Sequence, residues 1–517
     1  MGEPIEDLTA KPAEAESVNN QKSEPELYKR SIQGGYWVMG IGLSGRFLGF
    51  IKTLFYANLL VVQDLGLLAI TMMLIEVLGV FFETGFKDKL IQEKKDIHPY
   101  LDTAWVIQLL RGLAMFLVLF LAAPIVASWK VPEEKVSLTI AVIRGIGFSI
   151  LLGGFENIGT VFLYKQMEFS KVFWLRLLPL TADLVVSVTV IFFYRSIWGY
   201  VAGRFAEVFV RLALSYSLCP YRPRLSLDWG KARELWKFGK WIFGLSILNF
   251  LISEGDDFFV WWYLGVSSLA LYRYAFRFSN LPATDLTNTL SQVTFPAYSK
   301  IQDDIPRLRE AYLKVLMVIS FFSFPLAGLI FILGPDFVQI FLKEDMHPMI
   351  PAMQIMAFKG LFRSLGAARG PLFLALGKPK IHWILQCVRL FLLAVLIYPL
   401  TRSWGIQGTA TATTLIAILL SPIGFWLVCR WLKCSVWRML QPFLIPMAAA
   451  SVMVLILVLV KSAAGWEVSP LFFGGLLVVA IVCYGGAVWL LDSISKFGLL
   501  EILKDQVNVL RRRKNSL

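Results

Sequence analysis

The chain has 517 residues, 57% of them hydrophobic and 14% aromatic, and only 17% are charged. So few polar groups cannot clothe a water-soluble globule of this size. The net charge of +14 would suggest a nucleic-acid partner in a soluble protein, but here the placement of the charges matters more than their sum, and nucleic acid is not expected.

Residues 1–30 are rich in Glu, Lys, Pro, Ser and Asn, hold almost no large apolar groups, and read as a disordered cytoplasmic tail. No basic segment precedes a short apolar core, so no cleavable signal is expected. From Gly34 to Leu491, roughly fourteen apolar stretches of about 18 to 27 residues follow one another, each long enough to cross a bilayer as a helix that satisfies its own backbone. Spans at 34–60, 65–86, 103–128, 137–163, 172–194 and 196–218 form a first lobe over 34–218. The polar stretch 219–238, with Pro220-Tyr221-Arg222-Pro223-Arg224, reads as a linker. Spans at 239–264, 269–296, 314–341, 350–376, 381–403 and 405–428 form a second lobe over 239–428. Within it, Lys300 to Lys314 alternates charge with Ile and Leu, as a helix lying on the membrane face would. Two further spans, 442–460 and 470–491, carry no charge and read as an added, lipid-facing pair. Residues 492–517 form a basic cytoplasmic tail ending in Arg511-Arg512-Arg513-Lys514. The fold class is therefore all-α, a polytopic membrane protein of two six-helix lobes plus a helix pair.

With the first span starting inside, the inner segments hold about 31 Lys and Arg against about six on the outer side. That bias places both termini in the cytoplasm and sets basic loops against anionic membrane lipids. The five cysteines lie in spans or on the cytoplasmic side, so no disulfide is expected, and His98, His347 and His382 stand singly without zinc-like spacing. Sliding the chain by about 204 residues sets Trp37-Val38-Met39-Gly40 on Trp241-Ile242-Phe243-Gly244, a hint of related halves.

The run Leu271-Tyr272-Arg273-Tyr274-Ala275-Phe276-Arg277, then Leu281-Pro282, then Phe295-Pro296-Ala297-Tyr298-Ser299-Lys300-Ile301-Gln302-Asp303-Asp304 resembles the oligosaccharide flippase family of polysaccharide biosynthesis proteins. Glu83-Thr84-Gly85-Phe86 with Leu90-Ile91-Gln92, and Arg222-Pro223-Arg224 with Phe238-Gly239-Lys240-Trp241, are similar too. The resemblance covers about 34 to 430 and implies membership of the multidrug, oligosaccharidyl-lipid and polysaccharide exporter superfamily. It implies two lobes that alternate access across the inner, cytoplasmic membrane. The implied substrate is a polyprenyl-diphosphate-linked oligosaccharide, and other polysaccharide assembly proteins are implied partners.

Cations inside spans cost on the order of 3 kcal/mol each at a bilayer centre and imply an anion or a buried carboxylate to meet them. Arg46 and Lys52 on the first span are substrate-binding candidates, resembling in pattern the spaced cations of lipid II flippases; pairing with Glu76 or Glu83, or snorkelling by Lys52, competes. Arg273 and Arg277, four apart on span eight, form a second candidate jaw, with pairing to acids of span seven as the alternative. Lys359 and Arg363 repeat that spacing on span ten, with Arg369 beyond them. Because Gly360, Gly366 and Gly370 interleave these cations, close helix packing competes with substrate contact. Glu254, Asp256 and Asp257 crowd one turn of span seven and are the leading ion-coupling candidates, with Asp183 and Asp285 behind them; neutralisation by Arg273 and Arg277 is the other reading. Arg204, Glu207 and Arg211 line one stripe of span six as an internal ion-pair ladder, which Glu156 and Arg144 are expected to join. Trp261, Trp262 and Tyr263 read as interfacial anchors, and Pro179, Pro282, Pro325, Pro371 and Gly153-Gly154 as helix breaks or bends.

No metal or cofactor is expected beyond a coupling H+ or Na+, and no phosphate-binding loop for ATP is present, so the chain reads as a carrier rather than an enzyme. A multidrug exporter of organic cations is the nearest alternative, disfavoured by a cationic lumen. A membrane-embedded glycan polymerase or glycosyltransferase is a further one, disfavoured because the outer loops are only a few residues each.

Overall fold

A computed structural model of the protein describes residues 37, 40–82, 86–92, 96–129, 131–465 and 469–495, and within the helices it gives backbone alone for 88, 92, 232–246, 248–249, 281–293, 296, 379, 382 and 495. The expected tail over 1–30, the basic end from 496 onward, Glu83 and the side chains of Lys240, Trp241, Pro282 and Asp285 therefore lie outside the described residues.

Every regular element among the described residues is a helix. The α-helices are α1 (40–59), α2 (Val62–Phe81), α3 (Phe86–Gln92), α4 (His98–Ser128), α5 (Val136–Gly153), α6 (Thr160–Lys165), α7 (Phe169–Tyr194) and α8 (Trp198–Leu218), followed by α9 (Trp229–Leu264), α10 (Val266–Lys300), α11 (Ile305–Phe341), α12 (Ile350–Leu365), α13 (Arg369–Ala375), α14 (Pro379–Trp431), α15 (Val436–Ala463) and α16 (Pro470–Ser495). Eight of the described helices are long and apolar enough to cross a membrane. One of these, α14, is two spans in series, because Trp404 and Gly405 leave helical geometry and Gly405 takes φ 57. Helices α8, α9, α10 and α12 carry most of the ionisable groups discussed below, which lowers their hydropathy.

The described residues form two compact units, one within Met1–Leu59, Leu78–Trp129 and Glu133–Ser246, the other within Leu60–Val77, Lys130–Pro132 and Ile247–Leu517. This division departs from a strictly sequential one in α2, whose residues to Val77 pack in the second unit. The cause is local: a Cβ on Gly66 would lie 2.3 Å from the carbonyl oxygen of Val266, so only glycine lets α2 approach the start of α10 this closely.

Two expected single spans are interrupted. The stretch 137–163 ends as a helix at Gly153 and resumes at Thr160. In lipid such a break must satisfy its freed backbone groups within the protein. Gln108 of α4 donates to the carbonyls of Gly154 and Glu156, each at 2.9 Å, while Asn157 accepts from the Gly159 amide at 2.8 Å and donates to the Tyr221 carbonyl at 2.7 Å. The stretch 350–376 breaks in the same manner between Leu365 and Arg369. By contrast, α7 and α11 continue through Pro179 and Pro325, and Pro371 falls within the first turn of α13 rather than at a break.

Three further expectations are corrected. Residues 300–314 are not a separate surface helix. The end of α10 turns at Ile301, Asp304 accepts from the Arg307 amide, and α11 starts there, with Leu308 and Tyr312 fully buried beside Tyr298. The added pair is not free of charge or wholly lipid-facing. Lys461 in the last turn of α15 is 2.6 Å from Asp336 of α11, both side chains 5% exposed, and Ala449, Met453 and Leu457 pack with Leu333. Trp261 is 4% exposed and hence a core residue, whereas Trp262 is 43% exposed.

The hairpin inside α14 depends on another glycine. A Cβ on Gly408 would sit 1.9 Å from the carbonyl oxygen of Leu400, while the Thr401 and Thr409 hydroxyls bond at 2.8 Å beside it. Gly408→Ala is expected to cost roughly 2 kcal/mol or more, because the obstacle is backbone and cannot rotate away. The thermal midpoint in detergent measures it, and an unchanged midpoint would rule out this close approach.

Candidate functional site

The second unit carries a buried ionic network followed by a basic cavity. On α9, Glu254 and Asp257 are three apart and share a face, and Asp256 points to the neighbouring one. Arg273 of α10 reaches three carboxylates at once: Asp257 at 2.8 Å, Glu254 at 2.9 Å and Glu76 of α2 at 3.0 Å. It also donates to the Ala69 carbonyl at 2.9 Å. Asp256 accepts from the Tyr272 hydroxyl at 2.7 Å and pairs with Lys359 of α12 at 3.2 Å, both ionic side chains being almost fully buried. Lys359 Nζ also lies 4.8 Å from the Phe276 ring centroid. The network thus sets four carboxylates, Glu76, Glu254, Asp256 and Asp257, against two cations, Arg273 and Lys359.

Beyond Lys359 opens a cavity of about 690 Å³ whose ionisable lining is Glu254, Lys359, Arg363, Arg369 and Arg389. Arg363 stands one turn from Lys359 on α12 and is exposed; Arg389 enters from the first half of α14. No carboxylate among the described residues lies within ion-pair reach of Arg363, Arg369 or Arg389. Arg369 is held by carbonyls instead: its Nε donates to Gly366 and its Nη1 to Ser421, each at 3.3 Å, and its guanidinium lies 5.3 Å from the Phe425 centroid. Glycines 366 and 424 make room for it, since a Cβ on either would come within 2.2 Å or 1.7 Å of the guanidinium nitrogens. Arg389 and Gln386 are members of this lining that the sequence reading missed. The signal was available, because Arg389 interrupts an apolar run as plainly as Arg46 does.

A family model described as "Polysaccharide biosynthesis protein" matches residues 55–351, more than half of the chain. The chain belongs to the polysaccharide biosynthesis protein family. It is 23% identical over 411 residues to the lipopolysaccharide biosynthesis protein WzxC of Escherichia coli K12, spanning 78% of this chain and 82% of WzxC. It is 20% identical over 375 residues to the teichuronic acid biosynthesis protein TuaB of Bacillus subtilis, spanning 71% of this chain and 77% of TuaB. Its fold is like that of the lipid II flippase MurJ in an inward closed conformation, with a TM-score of 0.70, 16% identity, and coverage of 88% of this chain and 99% of MurJ. An inward-facing multidrug transporter of the MOP superfamily matches at a TM-score of 0.60 and 15% identity, over 76% of this chain and 99% of that one. This polysaccharide biosynthesis family member is accordingly a multi-pass membrane protein of MOP-superfamily fold.

The remaining candidates of this family member lie elsewhere. In the first unit Lys52 is 2.5 Å from Asp183 of α7, with the Tyr56 and Tyr200 rings at 5.3 Å and 5.0 Å. Asp183 is placed there by close packing, because a Cβ on Gly203 of α8 would fall 2.4 Å from its carboxylate oxygen. One residue proposed for substrate and one proposed for coupling thus occupy each other. Arg46 sits half-buried on α1, and Arg277, one turn beyond Arg273, is exposed. Arg204 and Arg211 both hold Glu207 along α8. Glu156 and Arg144 stand apart from that ladder: Glu156 pairs with Lys87 at 3.8 Å, and the Arg144 guanidinium stacks 4.0 Å from the Phe120 centroid.

Proposed function

We propose that this protein is a flippase that moves a polyprenyl-diphosphate-linked oligosaccharide from the inner to the outer leaflet of the cytoplasmic membrane by alternating access. The observation that carries the reading is the gathering of Arg363, Arg369 and Arg389 in one cavity with no carboxylate among the described residues in ion-pair reach. Guanidinium groups present planar, permanently charged donors matched to phosphate oxygens, and in a partly desolvated cavity they are uncompensated until an anion arrives. The relatives' names support the reading, since WzxC and TuaB are biosynthesis proteins of lipopolysaccharide and teichuronic acid, and MurJ is a lipid II flippase. An exporter of organic cations fits less well, because three guanidiniums with no carboxylate partner among the described residues repel its substrate.

The reading includes a carrier without bond chemistry, driven by an H+ or Na+ gradient or the membrane potential. Four carboxylates against two cations in the Arg273 network leave an excess of negative charge that bound protons or Na+ offset. Both termini are assigned to the cytoplasm by the bias of Lys and Arg towards the inner segments. In cells whose sole copy carries Arg363→Gln or Arg389→Gln, outer-leaflet accumulation of the lipid-linked sugar is expected to fall roughly tenfold or more. Unchanged accumulation with correct membrane insertion would overturn the assignment.

A further inference from the structure

The first unit leaves Arg144 without a counter-charge. The residue stands near the middle of α5, which like its neighbour α4 is apolar enough to cross a membrane. No carboxylate among the described residues lies within ion-pair reach of it. Its Nε donates to the Phe120 carbonyl of α4 at 3.4 Å and its guanidinium lies 4.0 Å from the Phe120 ring centroid, while both Nη groups meet no acceptor among the described residues. A guanidinium stays charged at any depth, and at a bilayer centre it costs on the order of 3 kcal/mol. Its surroundings give no polar relief, because Leu117, Phe120, Leu121 and Phe148 are exposed apolar side chains, Leu121 to 69%.

Around this cation lies an aromatic surface at a definite depth. Phe116 of α4, Phe148 of α5 and Phe205 of α8 follow one another with ring centroids 6.1 Å apart at each step, a floor suited to acyl chains. Helix α4 has 31 residues, roughly 46 Å against a hydrocarbon core of about 30 Å, so each of its ends overhangs by about 8 Å. Phe120 precedes the end of α4 at Ser128 by about 12 Å, which puts the guanidinium about 4 Å inside the hydrocarbon boundary. A lipid phosphate reaches that depth by settling a little, since bilayers thin locally around such arginines. Trp198 at the start of α8 marks the same level: it is exposed, and a Cβ on Gly145, the residue after Arg144, would lie 3.8 Å from its ring. Indoles with one wet edge collect at the headgroup level of a membrane.

We infer that the α4–α5–α8 surface holds one anionic glycerophospholipid of the phosphatidylglycerol kind, its phosphate on Arg144 beside Trp198 and its acyl chains along Phe148 and Phe116. A headgroup bearing an ammonium fits less well, because no carboxylate stands near Arg144 to receive it. The test titrates full-length protein in detergent with phosphatidylglycerol or phosphatidylethanolamine of the same acyl chains and follows the first bound lipid by native mass spectrometry. The wild type is expected to bind phosphatidylglycerol roughly tenfold more tightly than phosphatidylethanolamine, and Arg144→Met to lose most of that difference, with Arg144→Lys between them. Added phosphatidylglycerol is expected to raise the thermal midpoint of the wild type and to leave that of Arg144→Met where it was. Equal retention of phosphatidylglycerol by the wild type and Arg144→Met would overturn the inference. So would displacement of the bound lipid by an equal concentration of farnesyl diphosphate, which would make the occupant a prenyl diphosphate. A density map of the wild type in phosphatidylglycerol nanodiscs needs no variant to fold: a headgroup is expected against Arg144 and Trp198, and its absence there would overturn the site. Each of these outcomes leaves the flippase reading, which rests on the second unit, as it stands.

Discussion

Replacing Arg273 with Met is expected to destabilise the protein by about 3–5 kcal/mol, the range for breaking a buried ion pair by removing one partner. The side chain is 19% exposed and bonds three carboxylates. Its loss leaves Glu254 and Asp257 facing each other in a medium that screens them poorly, and the Ala69 carbonyl loses its donor. The three contacts are unequal. Glu76 is 45% exposed, so water already screens its bond, and Glu76→Gln alone should cost less than about 1 kcal/mol. Arg273→Lys should recover only part of the loss, since one ammonium cannot span carboxylates arriving from α2 and from two positions of α9. The thermal midpoint in detergent orders the series as wild type, Glu76→Gln, Arg273→Lys, Arg273→Met. A midpoint for Arg273→Met within a degree or two of wild type would mean that protons, rather than the guanidinium, neutralise the acids.

Why these acids and cations meet was only half legible in the sequence. Spacing alone puts Glu254 and Asp257 on one face of a helix, and the insertion cost of charges flags Arg273, Lys359 and Asp183. Periodicity within one helix cannot say which other helix stands opposite, so substrate contact and internal pairing stayed open for each. The structure gives Lys52, Arg273 and Lys359 internal partners 131, 16 to 197 and 103 residues distant. Helix interruptions were harder still. An apolar run gives no sign of where hydrogen bonding stops, and the breaks after Gly153 and Leu365 persist because side chains such as Gln108 and Arg369 serve the freed carbonyls. Lys461 escaped notice for a simpler reason. The apolar run ends at residue 460, one position short of the cation that joins α15 to Asp336 of α11. The resemblance motif around residue 298 gains a physical role: Tyr298 is core and Asp304 caps the next helix, so the motif marks how α10 turns into α11.

The Lys359–Asp256 pair is expected to give the second large effect, and a double-mutant cycle separates its two components. Both side chains are nearly inaccessible, at 5% and 7% exposure. Lys359→Met leaves Asp256 buried with only the Tyr272 hydroxyl and should cost about 3–5 kcal/mol, while Asp256→Asn strands the ammonium beside the Phe276 ring at a comparable cost. The double variant Lys359→Met with Asp256→Asn keeps the volume, retains an acceptor for Tyr272, and buries no charge. It should recover most of the loss, to within about 1–2 kcal/mol of wild type, so the coupling energy should be about 4 kcal/mol or more. Transport adds what stability cannot tell. Lys359 lines the cavity and bonds the acidic network, so it feels both an anion in the cavity and a cation among the acids. If it links them, the refolded double variant binds a diphosphate lipid with an affinity independent of H+ and Na+, whereas the wild type shows dependence on one of these ions. A double variant that is stable and keeps the wild-type ion dependence would place the coupling elsewhere, with Asp257 and Glu254 around Arg273 the next group to examine.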